Sequence, residues 1–537
     1  MMRIVLFCGI LSAALVSPAL AQEASKDDSI TEMKRQIEAL RRRVDELEGR
    51  HRETNKAPAG HRARAVPAPP QADLTTLPPA ISPPLPRPVA TIIPGLLPPE
   101  PMGEPFEDAL RSDLPGLSIG IPGTWSELRF YGFAKVSGWG DFNGRNQTDA
   151  PPPQTIPLAN SPAALQGGDM SATGRFSRFG IDTRTLTGWG TLETRVEGDF
   201  GGTAGPSIPS VNAVFRLRQA WAELGTESFR VLIGQANSLW NEGMFETLID
   251  ATNLNQSFIR QAQIRATGQL APGLTGQISL EAPETQFTSA AGVFTPANSP
   301  VGGLSPAFTF LPDLLGRLNY RYNGLELDTR GLARELTINT AGTNAAPPAI
   351  TKNAFGWGVA SHVRFPMRWL SEVFGPDQLI GMGYYGEGIG RYFAGNTFGQ
   401  DALSNIGLPG TVADFSFDPL PTYGATAAYR RFWTPQLRSN IVYGWAWENY
   451  PAYALAFAPG SPSAILLNST MQQGIVNLIW SPFGDTSNGA ANTGWLDVGL
   501  EYVYTKRDVF GGSAATDGAG AGSGTANRLL GAVVGRF

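Results

Sequence analysis

The chain has 537 residues, of which 63 are glycine and 43 are proline, and only 16% are charged. Its formal net charge of -5 gives no basic surface of the kind that binds nucleic acid, so we expect no nucleic-acid partner. Cys8 is the only cysteine, which excludes a disulfide framework and a thiolate metal site. We therefore expect no metal and no cofactor.

Residues 1–21 have the anatomy of a secretory signal peptide. Arg3 precedes an apolar stretch from Ile4 to Val16, and Ala19-Leu20-Ala21 provides the small residues of a cleavage site before Gln22. Cleavage after Ala21 would remove Cys8 and leave an exported chain without any cysteine.

Residues 22–49 are predicted to form a short periplasmic coiled coil, because apolar residues recur at alternating steps of three and four. The β-branched residues at the a positions favour a dimer by themselves. However, Arg43 and Glu48 frame the last apolar pair as in short trimeric coiled coils, and we predict a trimer. A single solvated helix is the alternative, since so short a coil is marginal alone. The predicted core positions are Ile30, Met33, Ile37, Leu40, Val44 and Leu47.

Residues 50–125 are rich in proline, as in Pro78-Pro79 and Pro98-Pro99. Proline has a fixed φ and no amide donor, so this segment is predicted to be an extended linker. It would tether the coiled coil to the rest of the chain.

Residues 126–537 are predicted to form an all-β domain, because side chains alternate between polar and apolar along sixteen segments. The clearest runs from Thr191 to Phe200, with Glu193 and Arg195 on one face and Val196 on the other. A soluble β-sandwich also alternates, but charge on many successive strands favours a transmembrane antiparallel β-barrel with water inside and lipid outside. We predict about 16 strands.

The connections between these strands support the barrel. Those after even-numbered strands are mostly two to four residues long, whereas those after odd-numbered strands include 140–174 and 389–422. Short periplasmic turns and long outer loops are typical of the bacterial outer membrane. The chain ends on Phe537 of an amphipathic strand, which we expect the barrel assembly machinery to bind.

Several stretches resemble the DcaP-like family of outer-membrane porins, namely 130–133, 175–180, 190–200, 216–220, 233–235, 480–482, 499–502 and 534–537. The resemblance covers most of 129–537. It implies a homotrimer of sixteen-stranded barrels with a periplasmic coiled coil, which passes small anionic solutes such as dicarboxylates.

A pore acts through the charges that its wall presents to solutes, so the polar strand faces supply the candidate residues. Arginine suits carboxylates because its planar fork binds both oxygens. The alternative is that these charges pair across strands and only hold the wall together. The predicted pore-lining residues are Arg178, Arg184, Glu193, Arg195, Glu197, Asp199, Arg216, Arg218, Arg265, Arg317, Arg321 and Arg330.

Residues 237–255 form the third long connection. In general porins this loop folds into the lumen, where Glu242, Glu246 and Asp250 would form a constriction opposite the arginines. An ordinary outer loop is the alternative.

The sequence thus predicts an outer-membrane porin for small, anionic, dicarboxylate-like solutes. The alternative is a structural anchor of the outer membrane, with a plugged barrel and a periplasmic stalk. No serine and histidine occur in a setting that suits catalysis, so we do not expect an enzyme.

Overall fold

The computed structural model describes residues 38, 117–121, 124–144, 149–202, 214–241, 245–249, 252–345, 349–393, 398–411, 414–484, 494–512 and 520–537. The predicted signal peptide and all six core positions of the predicted coiled coil lie outside these residues. Within them, no helix is long and apolar enough to span a membrane.

Sixteen antiparallel strands of the described chain form a closed barrel, as predicted. Each strand pairs with the next, and β16 returns to pair with β1, where Phe133 lies opposite Arg536. Gly132 and Phe537 exchange two backbone hydrogen bonds of 3.1 and 3.0 Å at the end of this seam. The strands are β1 (Ser126–Asn143), β2 (Arg178–Thr187), β3 (Gly190–Asp199), β4 (Arg216–Gly225), β5 (Phe229–Asn237), β6 (Arg260–Ala271), β7 (Leu274–Glu281), β8 (Asp313–Tyr322), β9 (Leu325–Asn339), β10 (Thr351–Pro366), β11 (Gln378–Glu387), β12 (Pro421–Phe432), β13 (Leu437–Glu448), β14 (Asn468–Trp480), β15 (Leu496–Val509) and β16 (Ser523–Arg536).

The outward face of the barrel is apolar. Val196, Ile264 and Leu500 are exposed there, while their sequence neighbours Glu197, Arg265 and Glu501 point inward and are buried. Successive side chains of a strand point to opposite faces, so one sequence pattern supplies both surfaces. The apolar face is the surface that a lipid bilayer would cover.

Aromatic side chains border this apolar face at both ends. At the end with long connections, an outward row joins neighbouring strands with centroid distances of 5.6 Å for Trp357 and Tyr385 and 5.7 Å for Tyr423 and Trp447. At the other end, Phe365 lies 5.7 Å from Trp369. Amphipathic rings favour the boundary between lipid and water.

The long connections build structure of their own. Residues 282–312 and 388–420 contribute a four-stranded sheet of Phe287–Ser289, Gly292–Phe294, Ala402–Ser404 and Phe417–Pro419. Phe287 and Phe294 of this sheet are buried with Leu336 and Ile338 of β9. The loops therefore pack on one side of the mouth instead of extending freely into solvent.

Two glycines in the turn between β2 and β3 allow a matched test of how backbone conformation and close packing affect stability. Gly190 has a φ of 118°, and a Cβ there would lie 2.1 Å from the carbonyl oxygen of Gly225. Gly188 in the same turn has nothing within 4 Å of its Cβ position. We expect Gly190→Ala to lower the free energy of unfolding by about 1–3 kcal/mol, measured by urea titration. Gly188→Ala should have the smaller effect, and equal effects of the two substitutions would contradict this account.

Candidate functional site

The described residues of the connection after β5, which are 238–241, 245–249 and 252–259, lie inside the barrel and are called the inward loop below. Arg330 of β9 donates to the carbonyl oxygen of Trp240 at 2.7 Å, and Lys135 of β1 donates to that of Leu248 at 2.9 Å. Asn255 donates to the carbonyl oxygen of Ala425 of β12 at 3.0 Å. A segment that contacts β1, β9 and β12 of a closed barrel must lie within its lumen.

Glu246 fixes the middle of the inward loop to the wall. Its carboxylate accepts two hydrogen bonds from Arg438 at 2.8 and 2.6 Å and pairs with Arg430 at 3.2 Å. Burial alone raises the pKa of the Glu246 carboxyl, but attraction to both arginines outweighs it and lowers the pKa from 4.5 to about 2. Glu246 is therefore an anion that bonds to the wall. The other two constriction candidates, Glu242 and Asp250, lie outside the described residues.

Glu501 of β15 binds the same loop two residues further along the chain. Its carboxylate accepts the backbone N–H of Leu248 at 2.7 Å and that of Ile249 at 2.8 Å. The carbonyl oxygen of Leu248 in turn accepts the bond from Lys135 already described. The carboxyl group of Glu501 and the ammonium group of Lys135 thus bind one dipeptide from two strands, which fixes its position.

The predicted pore-lining set omitted Lys135, Arg438 and Glu501, although each of them lies on the polar face of its strand. The alternating pattern could have included them. Their role depends on a loop that crosses the lumen, and no local pattern reports such long-range bonds.

Apolar side chains of the inward loop fill part of the lumen. Trp240, Phe245 and Leu248 are buried in one cluster with wall residues that include Leu332 and Ile475. The inner surface of the barrel is therefore partly apolar, whereas a wall that contacted only water would be polar throughout. Apolar residues face inward where the loop covers them.

Six arginines on β2–β4 and the adjoining part of β1 pair with carboxylates on neighbouring strands, and we call these six the arginine wall. The distances between charged atoms are 3.5 Å for Arg178 and Glu197, 3.3 Å for Arg218 and Glu197, 2.7 Å for Arg216 and Asp199, 2.9 Å for Arg195 and Asp182, and 3.0 Å for Arg184 and Glu193. Arg129 also pairs with Asp182. All six arginines of the wall therefore pair across strands.

The remaining predicted arginines lie on β6, β8 and β9. Arg317 and Arg330 share Asp328 at 2.5 and 3.3 Å, and both also donate to backbone oxygens of the inward loop. Arg321 pairs with Glu326 at 2.9 Å. Arg265 donates to the backbone oxygen of Asn237 and to Gln263. Arg317 and Arg330 therefore help to position the loop.

The two side chains of an ion pair are not equally exposed to solvent. In four pairs the arginine side chain is more exposed than the carboxylate, so positive charge is what a passing solute would meet. The exposed fractions are 43% and 26% for Arg184 and Glu193, 38% and 17% for Arg129 and Asp182, 34% and 1% for Arg216 and Asp199, and 44% and 10% for Arg321 and Glu326.

Aromatic rings hold Arg195 in place within the arginine wall. Its guanidinium lies 5.5 Å from the ring centroid of Tyr131 and 5.3 Å from that of Trp221. Cation–π contacts of this length stabilise a fixed orientation. No group of three histidine, cysteine, aspartate or glutamate side chains among the described residues could hold a metal ion.

A closed sixteen-stranded barrel with an apolar exterior, alternating short and long connections and an inward third loop defines an outer-membrane β-barrel of the porin class. The family model for the DcaP outer membrane protein matches residues 119–270, which confirms the resemblance predicted from the sequence.

The chain is similar to several solved structures of outer-membrane proteins. The outer membrane channel DcaP of Acinetobacter baumannii is 20% identical, with a TM-score of 0.58 over 79% of this chain and 100% of that chain. The anion-selective porin from Comamonas acidovorans is 10% identical, with a TM-score of 0.44 over 77% and 100%. Salmonella typhi OmpF is 12% identical, with a TM-score of 0.43 over 78% and 100%. No curated protein matches the chain.

Proposed function

We propose that this protein is a diffusion channel for small hydrophilic anions of the dicarboxylate type. The observation that carries the proposal is the unequal exposure of four ion pairs, in which the arginine side chain is more exposed than its carboxylate partner. A solute with two carboxylates could exchange hydration water for guanidinium donors at several points of the arginine wall.

The position of the inward loop supports the proposal that solutes follow a narrow path beside the arginine wall. The loop bonds to β9, β12, β13 and β15 and to Lys135 of β1, while the arginine wall lies on β2–β4 and at Arg129 of β1. A solute would then pass between the loop and the arginines, as in a constriction that selects by charge. Glu246 would take no direct part in selection, because its charge is bonded to Arg438 and Arg430.

The assembly is also proposed. Residues 22–49 would form a periplasmic three-stranded coil, 50–125 would tether it, and three barrels would associate in the outer membrane. Phe537 would present the closing strand to the barrel assembly machinery. Deletion of 29–48 should weaken the trimer in cross-linking assays, and an unchanged trimer would show that barrel contacts suffice.

A second candidate is a structural anchor with a plugged barrel. It is favoured by the apolar filling of the lumen around Trp240 and Phe245. Planar bilayers distinguish the two candidates. We expect discrete conductance steps on adding the purified protein, and a reduced chloride current when a dicarboxylate such as succinate competes for the path. Bilayers that stay silent would support the anchor.

A further inference from the structure

The connection after β10, residues 367–377, is longer than the tight periplasmic turns of the barrel. It contains two short 3-10 helices, Met367–Trp369 and Glu372–Phe374, whereas β8 and β9 are joined by Asn323-Gly324 alone. Two residues are enough to join two antiparallel strands, so the additional residues of this connection indicate a separate role.

This connection bends outward, away from the lumen. Arg368 donates to the side-chain oxygen of Asn323 in the neighbouring turn at 2.9 Å. The Trp369 ring lies 5.7 Å from Phe365 and 6.3 Å from Tyr322, and both of these partners are on the outward faces of their strands. The segment therefore lies beside the outer surface of the barrel, at its periplasmic rim.

The segment is held firmly at its base. Asp377 accepts hydrogen bonds from the Tyr429 hydroxyl at 2.5 Å, from Arg431 at 2.5 Å and from the backbone N–H of Phe432 at 2.9 Å. The hydroxyl of Ser371 accepts the N–H of Val373 at 3.3 Å and caps the second 3-10 helix. The conformation of the tip is thus set by these bonds.

Apolar side chains nevertheless remain uncovered at this tip. Leu370 is 65% exposed and Val373 is 83% exposed, next to the half-exposed ring of Trp369. The patch adjoins the apolar outward face, because Trp369 contacts Phe365 and Tyr322 there and Leu379 of β11 lies opposite Phe365. Continuity with the lipid-facing surface, together with a tryptophan at the boundary, indicates lipid as the partner.

We propose that residues 367–374 form a lipid-binding foot, which inserts Leu370 and Val373 into the inner leaflet of the outer membrane. Arg368, which bonds to Asn323 in the neighbouring turn, would lie at the level of the lipid phosphates. The foot would fix how deeply the barrel is inserted in the membrane on the side of β8–β11. This role does not depend on what the channel conducts.

Spin labelling of single cysteines tests the foot. With Cys8→Ala the chain has no cysteine, so Val373→Cys can be labelled alone, and Glu227→Cys in the turn between β4 and β5 serves as the control. Both positions are exposed, so folding should be unaffected. The labelled proteins are reconstituted into phospholipid vesicles, and collisions with oxygen and with a water-soluble nickel chelate are measured.

At position 373, oxygen collisions should exceed nickel collisions several-fold, while the label at 227 should show the reverse. Equal access of the nickel chelate to both positions would overturn the proposal. Exclusion of both reagents from 373 would also overturn it, because the patch would then contact another protein or a second copy of the chain.

Discussion

Replacing Glu246 by glutamine is expected to lower the free energy of unfolding by about 3 kcal/mol, because it removes the carboxylate partner of Arg430 and leaves the buried Arg438 with Asp497 alone. Arg438 and Arg430 both bond to this carboxylate, and Asn440 donates to it as well. The inward loop should also become mobile, so single-channel current should become noisier. Urea titration of the detergent-solubilised protein and bilayer recording measure the two effects.

The matched control is Glu193→Gln. Glu193 pairs with Arg184, which is 43% exposed, and partly exposed pairs contribute about 1 kcal/mol or less. A loss at Glu246 no larger than that at Glu193 would contradict the role given to the inward loop.

The carboxylate of Glu246 should also make the free energy of unfolding depend on pH. The pKa of Glu246 is lowered from 4.5 to about 2 in the folded protein, so its stabilising contribution is fully present above pH 4.5. The contribution should decline as the pH falls from 4.5 and be lost below about 2. Glu246→Gln should therefore flatten the pH dependence of stability over this window.

Replacing Arg129, Arg184 and Arg216 together by glutamine is expected to remove most of the preference for anions. These arginines are the exposed partners of their pairs, and their loss leaves Glu193 without its cation. A unit charge about 4 Å from an ion in water contributes about 1 kcal/mol, which changes the preference roughly fivefold. We expect the permeability ratio of chloride to potassium to fall at least that much at low salt.

The control for charge removal is Arg431→Gln. Arg431 is exposed to a similar degree, 33%, but lies on the outward face and pairs with Asp377. Its loss should leave the permeability ratio unchanged. A triple variant that behaves like Arg431→Gln would show that the arginine wall does not set selectivity.

The barrel could be predicted from the sequence because its determinants are local. The alternation of Glu193, Arg195 and Glu197 with Leu192, Thr194 and Val196 is visible within one strand, and it reappears as the inward and outward faces of β3. Short connections such as Asn323-Gly324 set the pairing of neighbouring strands, so strand order follows as well.

The path through the barrel could not be predicted in the same way. The sequence pattern places a strand from Gln256 to Leu270, but β6 begins at Arg260, because the preceding residues belong to the inward loop. Asn255 bonds to Ala425 and to Trp445, 170 and 190 residues away. Contacts of this range depend on the closed barrel and leave no local signature in the sequence.

The zero-current potential across a bilayer that separates concentrated from dilute potassium chloride tests the central claim most directly. An anion-preferring channel lets chloride run ahead of potassium, so the dilute side should become negative. The potential should move towards zero in the triple arginine variant and stay unchanged in Arg431→Gln. A dilute side that becomes positive with the unaltered protein would contradict the proposed function.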